Sequence, residues 1–331
     1  MNEQHPDLTL IGGGAGDTCG AGCACGGSGE AGEEAPPCGL DAGLQELLRA
    51  AGLDPVEVED IAMLALTEDL AGGEDVTSAA TVPEDSVATG DFTARRAGVV
   101  AGLQIAEAVV SLLAEEAFEV ERHVADGDRV EAGQKLLSVT TTTRNLLTAE
   151  RTSLNLLCHL SGIATATRAW ADAIEGTKAA VRDTRKTTPG LRALEKYAVR
   201  AGGGVNHRMS LSDAALVKDN HVVAVGGSVA KAFQAVRERF PELPIEVEVD
   251  RIDQIAPVLE AGADLILLDN FTVPELREAV ALVAGRARLE ASGGLTLDGA
   301  REVAETGVDY LAVGALTHSS PVLDIGLDLR G

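Results

Sequence analysis

The chain has 331 residues, 45% of them hydrophobic and 24% charged, with 27 Lys and Arg against 52 Asp and Glu. That apolar share supplies a buried core for one large domain or two and excludes a wholly disordered chain. A formal charge of −25 argues against broad binding to nucleic acid or anionic membrane, and no apolar run reaches the roughly 18 residues a membrane span needs.

Residues 1–40 hold eleven glycines, only acidic charges and no periodic apolar spacing. Ordering such a stretch has no burial to offset its entropy, so it reads as a flexible tail. Gly27-Ser28-Gly29-Glu30-Ala31-Gly32 fits GxGxxG, but a dinucleotide site also needs a strand before it and a helix after it. Cys19, Cys23, Cys25 and Cys38 lack the CxxC spacing of a zinc site, and five cysteines do not make a disulfide framework in a chain this long. No basic residue precedes Arg49 and no apolar h-region is present. The pattern is therefore not that of a secretory signal, and the cytoplasm is the expected compartment.

From 41 to 150 the pattern mixes helix with short strands. Leu44 to Leu66 has helical apolar spacing, broken at Gly52 to Pro55; residues 87–101 alternate as strands do, and Gln104 to Leu113 reads as a helix. Glu119 to Val139 gives three strands separated by turns at Asp126-Gly127-Asp128 and Ala132-Gly133-Gln134. This piece is similar to the hammerhead turns of lipoyl-type sandwiches, but Lys135 falls inside the closing strand, so a scaffold role is expected.

After a helix at 149–173, aliphatic runs near 179–183, 214–218, 245–249, 264–269, 287–291 and 309–313 alternate with helical stretches such as 228–240, 252–261, 273–284 and 297–306. This rhythm predicts βα units around a parallel sheet, in a closed or nearly closed barrel. The residues just past the strands are Arg185-Lys186, Lys218-Asp219-Asn220, Glu248, Asp269-Asn270, Ser292-Gly293-Gly294 and Gly314. In a barrel these ends share one face, where active sites are built.

The charges are unevenly spread. Residues 182–221 carry eight Lys and Arg against four acids, a net of +4 that leaves −29 for the rest of the chain. A positive island in an acidic protein implies an anionic ligand. Arg185, Lys186, His207, Arg208 and Lys218 lie at strand ends or just past the Gly202-Gly203-Gly204 loop, where ligand contact is expected. Arg192, Lys196 and Arg200, spaced i, i+4, i+8, are instead expected to pair with acids on an exposed helix face. Glu248 and Asp269 suit Mg²⁺ or sugar hydroxyls, and the glycine turns at 292–294 and 313–315 suit phosphate.

Together the motifs Glu150-Arg151-Thr152-Ser153-Leu154-Asn155, Asp183-Thr184-Arg185-Lys186-Thr187-Thr188-Pro189-Gly190, Gly202-Gly203-Gly204-Val205-Asn206-His207-Arg208, Lys218-Asp219-Asn220-His221, Glu246-Val247-Glu248, Leu268-Asp269-Asn270, Glu290-Ala291-Ser292-Gly293-Gly294 and Val313-Gly314-Ala315-Leu316 resemble the quinolinate phosphoribosyltransferase family, the carboxylating nicotinate-nucleotide pyrophosphorylases. The likeness runs from about residue 41 to the end. The 1–40 tail lies outside it, and Gly73-Glu74-Asp75 stands where many members have Gly-Asp directly.

The resemblance implies an α/β fold: an N-terminal α/β sandwich domain (41–150), an incomplete, open TIM-like α/β barrel (151–318), and a segment at 319–331 packing back on the first domain. It implies conversion of quinolinate and phosphoribosyl pyrophosphate to nicotinate mononucleotide, pyrophosphate and CO₂ in de novo NAD biosynthesis, with Mg²⁺. Arg151, Arg185, Lys186, His207, Arg208 and Lys218 would line the quinolinate pocket, with Arg151 reaching across a homodimer, or a hexamer built from it. Glu248, Asp269, Ser292, Gly293, Gly294, Gly314 and His318 would serve phosphoribosyl pyrophosphate. Lys186, Lys218, Glu248 and Asp269 would be catalytic, and Glu248 and Asp269 would meet Mg²⁺ directly or through water or substrate. The rival readings are a molybdate-transport-associated paralogue with another substrate, a Lys218 Schiff-base aldolase and a non-catalytic anion binder.

Overall fold

The computed structural model of the protein describes residues 38–114 and 118–330; the GxGxxG match and Cys19, Cys23 and Cys25 lie outside them. Three helices open the described chain: α1 (Ala42–Ala50), α2 (Pro55–Leu70) and α3 (Val76–Thr81). Each starts where an aspartate accepts orphan backbone N–H groups: Asp41 from Gly43 and Leu44, Asp54 from Val56, Asp75 from Thr77 and Ser78. Leu40, just before the first cap, is buried.

There follow β1 (Val87–Ala94), β2 (Gly98–Val99), α4 (Leu103–Ser111), β3 (Glu119–Arg122), β4 (Arg129–Val130), β5 (Lys135–Thr142) and the 31-residue α5 (Thr143–Ala173). That helix begins six residues earlier than its apolar spacing suggests. The Thr142 side chain ends the strand and caps the helix at once, accepting from Asn145 N–H, so no loop separates them. The expected domain boundary at 150/151 falls inside α5.

The remaining elements are β6 (Ala180–Arg182), α6 (Arg192–Ala201), β7 (Ala215–Val217), α7 (Asp219–Ala224), α8 (Val229–Arg239), β8 (Ile245–Val249), α9 (Ile255–Glu260), β9 (Leu265–Asp269), α10 (Val273–Val283), β10 (Arg288–Ser292), α11 (Ala300–Ala304), β11 (Tyr310–Ala312), α12 (Ala315–His318) and β12 (Ile325–Arg330).

Two main sheets result. An antiparallel sheet has the order β12-β1-β5-β3, so the last strand pairs along β1, with Ala94 opposite Ile325 and Thr89 opposite Arg330. On it, Asp91 is buried yet accepts from Ser138 Oγ at 2.6 Å and faces Lys135 Nζ at 2.5 Å and Arg330 Nε at 2.9 Å. The segment leading to β12 crosses α5 at Gly162, where an added Cβ would collide with the Pro321 carbonyl.

The six-stranded parallel sheet has the order β6-β11-β10-β9-β8-β7. Here the closed alternative fails: β6 and β7 are not paired, and the barrel is open between them. Val205, after α6, fills part of the seam by donating to Val181 O at 2.8 Å. Leu160, Ile163, Val199, Val247, Ile266, Leu268 and Leu311 belong to one buried apolar cluster that continues into the antiparallel domain. No helix among the described residues is long and apolar enough to cross a membrane.

Candidate active site

A cavity of about 350 Å³ lies at the C-terminal ends of the parallel strands, the face where βα loops build active sites. Arg185, Lys186, His207, Arg208 and Lys218 line it, together with Glu248, Asp269 and Ser292. With Glu290 of β10, also in the lining, five strands or their following loops carry cations or carboxylates into one chamber.

The pairings are incomplete in an instructive way. Lys218 Nζ sits 2.5 Å from Glu248 Oε2, bridging β7 to β8. Arg208 donates to Ala214 O at 2.8 Å; burial, and then the charge on Arg185, pull its guanidinium below the ordinary arginine value. Arg185 Nε is buried with no hydrogen-bond partner. Two guanidiniums that repel each other, one with a free buried donor, make a site for a bidentate anion. Lys186 is exposed at the rim, where Thr317 Oγ1 donates to its carbonyl at 2.8 Å.

The glycine turns adjoin this rim. Asn270 takes a left-handed backbone, φ +59, and its N–H donates to Ser292 O at 2.9 Å. Its side chain donates to Asp269 Oδ2 at 2.8 Å. Gly293, at φ +88, lies so close that an added Cβ would collide with Asn270 Oδ1. Gly294 faces open space, and Gly314 packs against Lys186, Thr184 and His318. His318 is exposed and hydrogen-bonds Ser319 Oγ at 2.7 Å. Gly293, Gly294, Gly314 and His318 adjoin the cavity beside Ser292 and Lys186 rather than form its wall. Arg151 does not reach it: exposed on α5, it lines a separate hollow with Asp69, Glu74, Asp75 and Thr148.

Below the chamber lies a layer of buried charge. His207 Nδ1 accepts from Arg208 N–H at 2.7 Å, which leaves the ring proton on Nε2, 2.9 Å from Glu246 Oε2 and 3.7 Å from Glu290 Oε1. Arg182 Nη1 holds Glu290 Oε2 at 2.7 Å, and its guanidinium stacks 4.7 Å from the Tyr310 ring centre. Burial first, then the Glu246 carboxylate, push the Glu290 carboxyl up to about 7, against the pull of Arg182 and His207. His207, Glu246 and Glu290 bring ligand-type atoms within 4.8 Å of one another; Arg182 already supplies the positive charge there. Glu246 and Glu290 were not foreseen as site residues. The signal was present in Glu246-Val247-Glu248 and Glu290-Ala291-Ser292, because residues two apart on a strand share a face.

The helix carrying Arg192, Lys196 and Arg200 corrects an expectation. Lys196 is not on an exposed face: it is fully buried, paired with Asp183 and donating to His207 O at 2.8 Å. Asp183 also accepts from His207 N–H at 2.8 Å. The adjacent Glu195, equally buried, accepts from Thr188 N–H at 3.1 Å and His159 Nε2 at 2.9 Å. Arg192 and Arg200 reach backbone carbonyls of Met209 and Ala51. Burial made α6 the clamp for both basic loops, which helical spacing alone does not reveal.

A chamber of this kind can take a polyanion on its cationic side while carboxylates stabilise positive charge opposite. Profiles described as quinolinate phosphoribosyl transferase, N-terminal and C-terminal domains, match residues 75–161 and 163–328. The chain is 57% identical over 269 residues to the nicotinate-nucleotide pyrophosphorylase (carboxylating) of Mycobacterium leprae, covering 80% of this chain and 94% of that one. It is 40% identical over 292 residues to quinolinate phosphoribosyltransferase (decarboxylating) 2, mitochondrial, of Nicotiana glauca, covering 82% of each. The solved structure of NadC from Streptococcus pyogenes superposes with a TM-score of 0.80 at 40% identity, over 84% of this chain and 98% of that one. The chain belongs to the quinolinate phosphoribosyltransferase family.

Proposed function

We propose that this protein is a cytoplasmic, homodimeric pentosyltransferase that converts quinolinate and phosphoribosyl pyrophosphate to nicotinate mononucleotide, pyrophosphate and CO₂ in de novo NAD biosynthesis. The observation that carries it is the meeting of Arg185, Lys186, Arg208 and Lys218 with Glu248 and Asp269 around one cavity.

Quinolinate brings two carboxylates. Arg185 and Arg208 hold them as fixed forks, and Lys218, now shared with Glu248, orients the ring nitrogen toward the sugar. Glu248 and Asp269 face the anomeric carbon, where cleavage of the pyrophosphate bond develops positive charge. The glycine turns after Ser292 and at Gly314 receive the phosphate, and Lys186 and His318 close the rim. Two carboxylates on adjacent strands fit Mg²⁺, which keeps most of its waters and takes substrate phosphates beside one or two carboxylates. Glu248 and Asp269 would hold it through that water shell, and it would supply charge neutralisation on the departing pyrophosphate. Arg151, remote from the chamber of its own chain, would complete the chamber of the partner subunit. An aldolase reading is disfavoured, because Lys218 sits in an ion pair whereas a Schiff base needs the free amine.

The test is incubation with quinolinate, phosphoribosyl pyrophosphate and Mg²⁺, following nicotinate mononucleotide and CO₂ together. Equimolar formation of both is expected; neither appearing would overturn the reading.

A further inference from the structure

Decarboxylation leaves a debt that none of the cations around the cavity settles: the ring carbon that loses CO₂ must receive a proton. We propose that Glu290, in the wall of the chamber, is the acid that supplies it. This rests on the proposed function.

The geometry sets Glu290 apart from the other carboxylates of the cavity. It is fully buried, yet it lines the cavity. Its Oε2 is held by Arg182, while its Oε1 is buried with no hydrogen-bond partner. Glu246 Oε1 is orphaned in the same way. Two carboxylates this close, with unpaired oxygens in a water-poor site, do not both stay ionised; one retains a proton. His207 gives its Nε2–H to Glu246 at 2.9 Å and stands 3.7 Å from Glu290 Oε1, so the unpartnered oxygen in the chamber wall, free to carry the proton, is that of Glu290.

The groups facing Glu290 are Arg182 from β6, His207 from the loop after α6, and Glu246 from β8, with the Tyr310 ring of β11 beneath Arg182. Around the cavity stand Arg185, Lys186, Arg208 and Lys218, with Glu248 and Asp269. Of these carboxylates, Glu248 lies against a lysine and Asp269 is half-buried at the strand end. Neither is enclosed as Glu290 is.

The step balances. The bond between ring carbon and carboxylate breaks, CO₂ leaves, and the electron pair stays on the carbon beside the positively charged ribosylated nitrogen. That pair takes the proton from Glu290 Oε1, and the new carboxylate is held by Arg182. Water then restores the proton. A second cavity of about 270 Å³ is lined by Arg182, His207 and Glu246, the three groups that face Glu290.

The experiment compares wild type, Glu290→Gln and Glu290→Asp in rapid-quench assays with quinolinate carrying a labelled 2-carboxylate, phosphoribosyl pyrophosphate and Mg²⁺. Pyrophosphate and CO₂ are counted separately from pH 6 to 9. The expected result for Glu290→Gln is a burst of one pyrophosphate per site, then CO₂ release at least tenfold slower than wild type and independent of pH. Wild-type CO₂ release should fall as pH rises past neutrality, and Glu290→Asp should recover part of it. Two results overturn the proposal: Glu290→Gln with wild-type CO₂ release, or pyrophosphate and CO₂ falling together with an unchanged pH profile. Should Glu290→Gln fail to fold, the wild-type profile decides, and the absence of any alkaline fall refutes the acid. No CO₂ from wild type at any pH removes the function itself, and the acid with it, which separates the two failures.

Discussion

Asp91 and Glu290 are both buried carboxylates, 4% and 0% exposed, and they behave oppositely. Burial would raise Asp91, but Lys135, Ser138 and Arg330 together hold it down at about 2. Glu290 has one guanidinium and, across from it, another carboxylate, and it rises to about 7. The same residue class, hidden from solvent in both, is a rivet in one sheet and a raised acid in the other. Glu290 is packed more deeply, so burial outweighs its guanidinium, whereas at Asp91 two cations and a hydroxyl outweigh burial.

The contrast can be broken or sharpened by substitution. The largest effect on folding is expected from Lys196→Met, which strands Asp183 without its buried partner. Breaking such a pair costs about 3–5 kcal/mol, measurable as a lowered denaturation midpoint. Lys218→Ala and Arg185→Ala should do the reverse: an unchanged melt, with roughly 30- to 5,000-fold lower kcat/KM, as expected for about 2–5 kcal/mol of lost transition-state binding. Near-normal turnover in either would remove the cationic wall from the mechanism.

Asp91→Asn tests the rivet. A depressed carboxylate stabilises above its unfolded value, near 4, and that contribution is lost as pH falls toward 2. Its cations are half exposed, so screening trims the contribution to about 1–2 kcal/mol. Wild-type thermal stability should drop between pH 4 and 2, and the Asn variant should lose less there while keeping its activity per folded molecule.

Glu290 carries the opposite sign. A raised carboxyl binds its proton more tightly when folded, so its contribution is present below about 4.5 and is lost as pH climbs through about 7. Melts across pH 5 to 7.5 should slope downward in wild type and less in Glu290→Gln. The smallest effect is expected from deleting residues 1–37, which should leave kcat and KM unaltered; a large fall would show that the segment contributes to catalysis.

Much of this was legible in order along the chain. The helix break at Gly52 to Pro55, the later strand runs and the cationic residues at their ends follow from spacing and charge, and the motifs named the family. What escaped has a common cause. The start of α5 depends on a threonine serving two elements, and Lys196 faces inward only because Asp183 and the 207 carbonyl await it. Each is a property of tertiary partners, which periodicity does not encode. Glu246 and Glu290 are a different case: their alternation with Glu248 and Ser292 was visible, but their depth was not.

The pairing of β12 along β1 has a consequence for biosynthesis. Between the emergence of Ala94 and Ile325 a ribosome adding roughly 5–20 residues per second needs about 10–45 s. Throughout that interval one border of β1 has its backbone groups uncovered, an invitation to strand capture by a neighbouring nascent chain. A stop codon or bulky fusion placed just before the closing strand should therefore harm solubility before it harms chemistry.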